Sequence, residues 1–280
     1  MKTMHTDEFL NQEVWDKLVS QCGNNNEVLK DHPLIRHTGK THSQWGEDGV
    51  FDRILSKIGM TNKVAIEFGA KNGIRISTTL LLRRKYDFRR ILIEANASDY
   101  CKSEGESIIY DFITPENIND LLKQGDCPEH PDVLSIDIDG DDYWVWKAIE
   151  PKARVVCVEY QSAIPNDVPL AILPGQTDVK SHLKTGWNLH EHPVEHHDPN
   201  LPVLNGYFSA NLLAIYDLAK EKGYKFCVTL MDNAFFVLDE EFDKLGIPEV
   251  SREDCAKNYF QPEIYWWKNR DRQNREWMVV

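Results

Sequence analysis

The chain has 280 residues, enough for one large α/β domain with additions or for two small ones. Its apolar fraction of 41% and charged fraction of 28% are those of an ordinary globular protein. The formal charge of −13 speaks against nucleic acid and anionic membrane surfaces as partners, since both require a surplus of Lys and Arg. No apolar run reaches membrane-spanning length, and residues 1–10 are too polar for a signal peptide. The six cysteines are scattered without a CxxC pair, so neither zinc nor disulfide frameworks are expected. A reducing cytoplasm suits them best.

In chain order, Phe9, Leu10, Val14, Leu18 and Val19 have helical spacing, and Gly23 with Asn24–Asn26 predicts the end of that helix. A second helix is predicted over 46–58. Together they make a helical N-terminal extension, 1–62. From Lys63 the pattern alternates between apolar strands and helices. Strands are predicted over 64–68, 90–94, 108–111, 132–139 and 153–160, and helices over 76–84, 115–123 and 143–149. This alternation predicts a parallel sheet covered on both faces. Residues 162–205, rich in Pro, His and Asp, break the rhythm after the fifth strand and read as an insertion serving as a substrate lid. A helix over 210–222 then leads to strands 225–230 and 234–238, whose short link predicts an antiparallel hairpin. The core domain is thus 63–240. The tail, 241–280, carries Tyr265, Trp266, Trp267 and Trp277, which suit packing on its own domain or on a second copy in a homo-oligomer.

The first core strand ends in Glu67-Phe68-Gly69-Ala70-Lys71-Asn72-Gly73. A glycine turn at a strand's carboxyl end lets a ligand approach the backbone. Lys71 stands where a dinucleotide fingerprint needs its second glycine, which argues against a pyrophosphate and leaves room for S-adenosylmethionine. Glu94, ending the second strand, can accept hydrogen bonds from ribose hydroxyls, and Asp111, after the third, can reach an adenine amino group. Glu67, Gly69, Gly73, Glu94, Asp111 and Asp137 form the candidate cofactor set.

Asp137-Ile138-Asp139-Gly140-Asp141-Asp142 is the most unusual segment. Strand alternation would put Asp137 and Asp139 on one face, where two carboxylates repel unless a proton or a cation intervenes. Glu159, ending the next strand, can add a third oxygen, and oxygen-only ligands point to Mg²⁺, Mn²⁺ or Ca²⁺ rather than zinc. The other reading is that Asp141 or Asp142 caps the following helix and a strand acid binds backbone amides. Asp142 and His190 are the candidate general bases, His190 belonging to a run with His182, His192, His196 and His197 in the insertion.

Ser43-Gln44-Trp45-Gly46-Glu47-Asp48-Gly49, the Glu67–Gly73 turn, Leu92-Ile93-Glu94, Ser135 to Trp144, Val155 to Tyr160 and Asn233 to Val237 resemble FkbM-like S-adenosylmethionine-dependent methyltransferases. The resemblance spans about 43–238. It implies a Rossmann-like class I fold, a mostly parallel seven-stranded sheet ending in an antiparallel hairpin. It also implies methyl transfer to a hydroxyl of a sugar, nucleotide-activated sugars included, or of a related natural product. By the match, Glu67, Gly69 and Glu94 would bind the cofactor. A divalent metal would sit on Asp139 and Glu159. Where related enzymes carry a histidine as base, this chain has Asp142. The competing expectations are a nicotinamide-dependent sugar-nucleotide oxidoreductase and a non-catalytic protein that binds S-adenosylmethionine.

Overall fold

A computed structural model describes residues 2–36, 38–95, 106, 108–162, 164–176, 207–259 and 274–280. The main elements are β1 (Thr3–His5), α1 (Thr6–Phe9), α2 (Gln12–Lys30), α3 (Glu47–Ile58), β2 (Val64–Phe68), α4 (Leu80–Tyr86), β3 (Arg89–Glu94) and β4 (Ile108–Tyr110). They continue with α5 (Ile118–Gln124), β5 (Val133–Ile136), α6 (Asp142–Ala148), β6 (Val155–Glu159), β7 (Leu170–Ile172), α7 (Leu212–Glu221), β8 (Tyr224–Leu230), β9 (Asn233–Leu238) and β10 (Glu276–Val279).

Seven strands form one sheet in the order β4-β3-β2-β5-β6-β9-β8. β2 through β6 are parallel to their neighbours, and β9 alone runs antiparallel, against β6 on one side and β8 on the other. Every residue of β2 and β6 is buried, as expected of central strands covered on both faces. The α/β sheet and its closing hairpin are therefore as the sequence predicts. α3 buries Val50, Phe51, Ile54, Leu55 and Ile58, and the Phe51 ring meets Phe235 of β9 edge-on at 5.4 Å. On the other flank of β9, Trp146 of α6 packs against Phe236 at 5.3 Å.

Four expectations need correction. α2 does not stop at Gly23 but runs to Lys30. One helical glycine costs about 1 kcal/mol, too little to end a helix whose start is capped by the Asn11 side chain and whose Trp15 and Leu29 are buried. The helix predicted from Ile76 starts only at Leu80, because Ile76 takes a left-handed φ of 52° and bridges Ser43. The strand predicted over 132–139 ends at Ile136, since Asp139 takes φ 52°. Strand alternation is thus not what relates Asp137 to Asp139.

Finally, the N-terminal extension, the insertion and the tail meet in a sheet that the sequence does not predict. β1, β10 and β7 make a second, antiparallel sheet, so part of the predicted insertion and part of the tail fold together with the N-terminus. Trp277 of β10 is its anchor, fully buried between Phe9 and Tyr207 with its indole N–H donating to Thr6 Oγ1 at 3.0 Å. Tyr265, Trp266 and Trp267 lie outside the described residues, as does most of the His-rich insertion. Among the described residues no helix is long and apolar enough to cross a membrane.

His32, just past α2, is buried, and its Nδ1 accepts the Leu34 N–H at 3.3 Å. Burial lowers its pKa from 6.5 to about 4. Because the folded value lies below the unfolded one, stability is full above about 6.5 and is lost as pH falls towards about 4. By pH 5 the loss should be about 2 kcal/mol. Urea titrations at pH 7 and pH 5 check this: His32→Gln, which keeps a neutral acceptor, should lose less stability between them than the unaltered chain. Equal losses would contradict it.

Candidate functional site

β2, β3 and β4 step outward on one side of the sheet, whereas β5 and β6 lie on the other. The carboxyl ends of β2 and β5 therefore flank a topological switch point, the place where open α/β sheets bind ligands. The two chain segments leaving these strands meet there. Gly69 takes φ 66°, and a Cβ at this position would lie 1.9 Å from the Asp137 carbonyl oxygen. Only glycine permits so close an approach. Gly73, at φ 69°, closes the turn through its N–H to Ala70 O at 2.7 Å.

The turn is tied to β3 from both sides. Glu94 Oε2 accepts the Lys71 N–H at 2.7 Å, so its carboxylate stands directly against the glycine turn. From the same strand, the buried Arg90 guanidinium donates to Gly73 O at 2.8 Å and to Ser77 Oγ at 3.2 Å, and pairs with Glu106. Glu94 lies level with Tyr110 of β4, and the Asp111 N–H donates to Glu94 O at 3.1 Å. Asp111 is exposed, and its Oδ1 accepts the Phe112 N–H at 2.7 Å. Glu94 thus ends β3 as the sequence predicts, and Asp111 lies one residue beyond the end of the adjacent β4.

Glu67 has a different place. Its buried carboxylate accepts from Ser77 Oγ at 2.8 Å, Thr78 N at 2.9 Å, Thr79 N at 3.3 Å and Thr79 Oγ1. With four protein donors it holds the 77–79 segment under the turn, so it supports the crevice rather than facing a ligand within it.

Asp137, Asp139 and Glu159 each offer a carboxylate oxygen, and the three oxygens lie within 4.8 Å of one another. The left-handed turn at Asp139, rather than a strand face, brings the first two together. Glu159 is 5% exposed, and its Oε2 is buried with no hydrogen-bond partner among the described residues. A buried carboxylate oxygen without a donor is costly, and a cation at this point would satisfy it. Burial, reinforced by the neighbouring acids, pushes Asp137 and Glu159 well above the ordinary carboxylate range. The donor set is all oxygen, which fits Mg²⁺ or Mn²⁺. The Asp137 side chain, assigned from sequence to the cofactor as well as to the acid cluster, groups with Asp139 and Glu159, and its backbone carbonyl borders the glycine turn.

Asp142 is fully buried at the first turn of α6, and its two oxygens accept the Ile138 N–H at 2.9 Å and the Gly140 N–H at 3.0 Å. Burial raises its pKa to about 7 against the lowering effect of these amides. Its position is that of a clamp on the 137–140 loop, not of a base facing a substrate. The capping alternative fails too, because neither acid caps α6 through its side chain: Asp141, the residue before the helix, accepts the Gly175 N–H at 3.0 Å instead. His190 and its neighbours lie outside the described residues.

Several participants carry no assignment from sequence. Ser209, at φ 51°, bonds Gly140 O through its N–H at 2.6 Å and Glu159 O through its Oγ at 2.9 Å, which fastens the two acid-bearing loops together. Lys71 faces Asp137 and Asp139, and burial lowers its pKa while their charges oppose the shift. Glu47 accepts Trp45 N at 2.9 Å and Gly46 N at 3.0 Å, and Asn233 Nδ2 donates to its other oxygen at 3.3 Å. Asp48 gathers Thr41 N, His42 N and Ser43 Oγ. The two adjacent acids opening α3 were the visible signal for this network, because buried acids at a helix start need such donors. Compared with known protein families and with curated proteins, the chain matches none.

Proposed function

We propose that the chain is an S-adenosylmethionine-dependent O-methyltransferase of class I architecture that works with a divalent cation on a hydroxyl of a sugar or related natural product. The observation that carries this reading is the crevice at the β2–β5 switch point, where a bare glycine turn, the Glu94 carboxylate and a converging three-acid set meet. A mostly parallel sheet that finishes in an antiparallel hairpin is the architecture such enzymes share, and β9 is the inverted strand. Lys71 in place of a second glycine disfavours a pyrophosphate ligand, so nicotinamide chemistry has no comparable support.

In this reading Glu94 accepts hydrogen bonds from the cofactor ribose, and the turn from Gly69 to Gly73 leaves space for the rest of the cofactor along the backbone. Asp137, Asp139 and Glu159 would hold Mg²⁺ or Mn²⁺, whose chemistry there is to lower the pKa of the acceptor hydroxyl. Asp142 and Ser209 keep the ligand loops in register, and the Lys71 ammonium offsets part of the acid charge. Neutral hydroxyls suit so acidic a crevice; a nucleotide-activated acceptor would have to hold its phosphates away from the three acids.

Glu94 supplies the test. Glu94→Ala should weaken S-adenosylhomocysteine binding by about 2–3 kcal/mol, a factor of roughly 30 to 160, through loss of charge-assisted hydrogen bonds. Glu94→Gln keeps an acceptor for the Lys71 N–H and should lose less. Calorimetry with both variants checks this. Unchanged affinity in folded Glu94→Ala protein would move the cofactor site elsewhere.

A further inference from the structure

The acid set has a neighbour on the β8–β9 hairpin. The two residues between these strands are Met231 and Asp232, and both are clipped to Tyr160, the residue that follows Glu159. Tyr160 N–H donates to Asp232 O at 2.8 Å, and Tyr160 O–H donates to Met231 O at 2.9 Å. Asn233 lies opposite Glu159 in the β6–β9 register. Its side-chain amide donates to Asp232 Oδ1 at 3.2 Å and to Glu47 Oε1 at 3.3 Å, and its Oδ1 accepts from Cys157 Sγ at 3.5 Å. The hairpin tip is therefore fixed by backbone and side chain beside the one buried carboxylate oxygen for which the described residues supply no donor.

Asp232 is not one of the three acids whose oxygens converge within 4.8 Å. Its charge nevertheless acts on both Asp137 and Glu159, favouring their protonated forms. Glu159 and Asn233 are register partners, so their side chains share one face of the sheet, and the Asn233 amide holds Asp232 Oδ1 beside that face. Divalent cations such as Mg²⁺ keep several waters, and groups beyond the ligands orient them through hydrogen bonds.

We propose that Asp232, presented by the hairpin tip and braced by Asn233, is a positioning residue of the cation site that accepts a hydrogen bond from the water or acceptor hydroxyl completing the ion's coordination. This rests on the cation reading of Asp137, Asp139 and Glu159. It gives the antiparallel hairpin a part in the site, since the turn into β9 lies at the carboxyl end of β6. It also explains why Asn233 is buried and shared among Glu47, Asp232 and Cys157, a network that holds the tip in one orientation.

The test is Mn²⁺ titration of the full chain, with free Mn²⁺ read by electron paramagnetic resonance and bound water by proton relaxation. The unaltered chain should bind one Mn²⁺. Asp232→Asn should still bind one ion but about tenfold more weakly, with altered relaxation and an unchanged melting temperature in the absence of metal. Asn233→Ala should weaken binding in the same direction, and Asp232→Glu should recover part of the loss. Unchanged Mn²⁺ affinity and relaxation in Asp232→Asn would overturn the assignment. So would a loss of affinity accompanied by an equal fall in metal-free stability, which would make the residue structural. If the unaltered chain binds no Mn²⁺, or Glu159→Gln binds it equally well, the cation reading itself fails, and Asp232 with it.

Discussion

Glu159→Gln and Asp139→Asn should each lower methyl transfer by on the order of a hundredfold or more while leaving S-adenosylhomocysteine affinity unchanged. Both changes preserve shape and remove one anionic donor from the set converging within 4.8 Å. Their effect on stability separates the cation reading from a purely structural one. Without metal, Glu159→Gln removes a buried carboxyl whose ionisation is opposed by burial and by like charges, and the melting temperature should rise. With Mg²⁺ or Mn²⁺ the order should reverse, because only the unaltered protein gains binding free energy. EDTA should abolish turnover and added Mg²⁺ or Mn²⁺ restore it. Full turnover in metal-free buffer would end the metal-assisted mechanism without touching the cofactor assignment.

Arg154→Met should destabilise the fold by about 3–5 kcal/mol, the cost typical of stripping the partner from buried charges. Arg154 sits at the amino ends of the strands, where it bonds Asp132 at 2.8 Å, Glu241 at 2.7 Å and the carbonyls of Ile58 and Gly59. Asp132 is fully buried and gathers the Thr61, Asn62 and Lys63 N–H groups at the entry to β2. Without the guanidinium, the Asp132 and Glu241 carboxylates stay in place with no counter-charge from it. For a domain of this size the melting temperature should fall by about 10 °C. Cofactor affinity measured well below that temperature should be unchanged, because the clamp lies at the opposite end of the sheet from the switch point. A melting temperature within 2 °C or so of the unaltered chain would show the cluster to be dispensable.

The sheet was legible because its signals are local. Short apolar runs such as Val64–Phe68 and Val155–Glu159, separated by helical spacing, specify buried parallel strands, and the short link over 231–233 predicts a hairpin, whose turn the structure narrows to Met231 and Asp232. Glu94 could be placed because a strand's last residue points to a known edge of the sheet. The second sheet was hidden because it joins residues near both chain ends to Leu170–Ile172, and no local pattern reports pairing across such separations. Strands of three and four residues carry too little pattern of their own, so they read as insertion and tail. Asp137 and Asp139 were correctly brought together for the wrong reason: a left-handed residue, which alternation cannot anticipate, makes the turn. Asp142 resembled a base in sequence because its distinguishing property is the direction of its carboxylate, back onto the Ile138 and Gly140 amides, and direction is a tertiary fact. Glu67 misleads in the same way, since the Ser77–Thr79 donors that occupy it come from the far side of the turn.

Calorimetric titration of the unaltered chain with S-adenosylhomocysteine and, separately, with NAD⁺ and NADP⁺ tests the central claim most directly. The crevice at Gly69, with Glu94 against the turn and Lys71 where a pyrophosphate would need bare backbone, predicts one saturable S-adenosylhomocysteine site per chain and no binding of either dinucleotide. Saturable binding of NAD⁺ or NADP⁺, with none of S-adenosylhomocysteine, would contradict it.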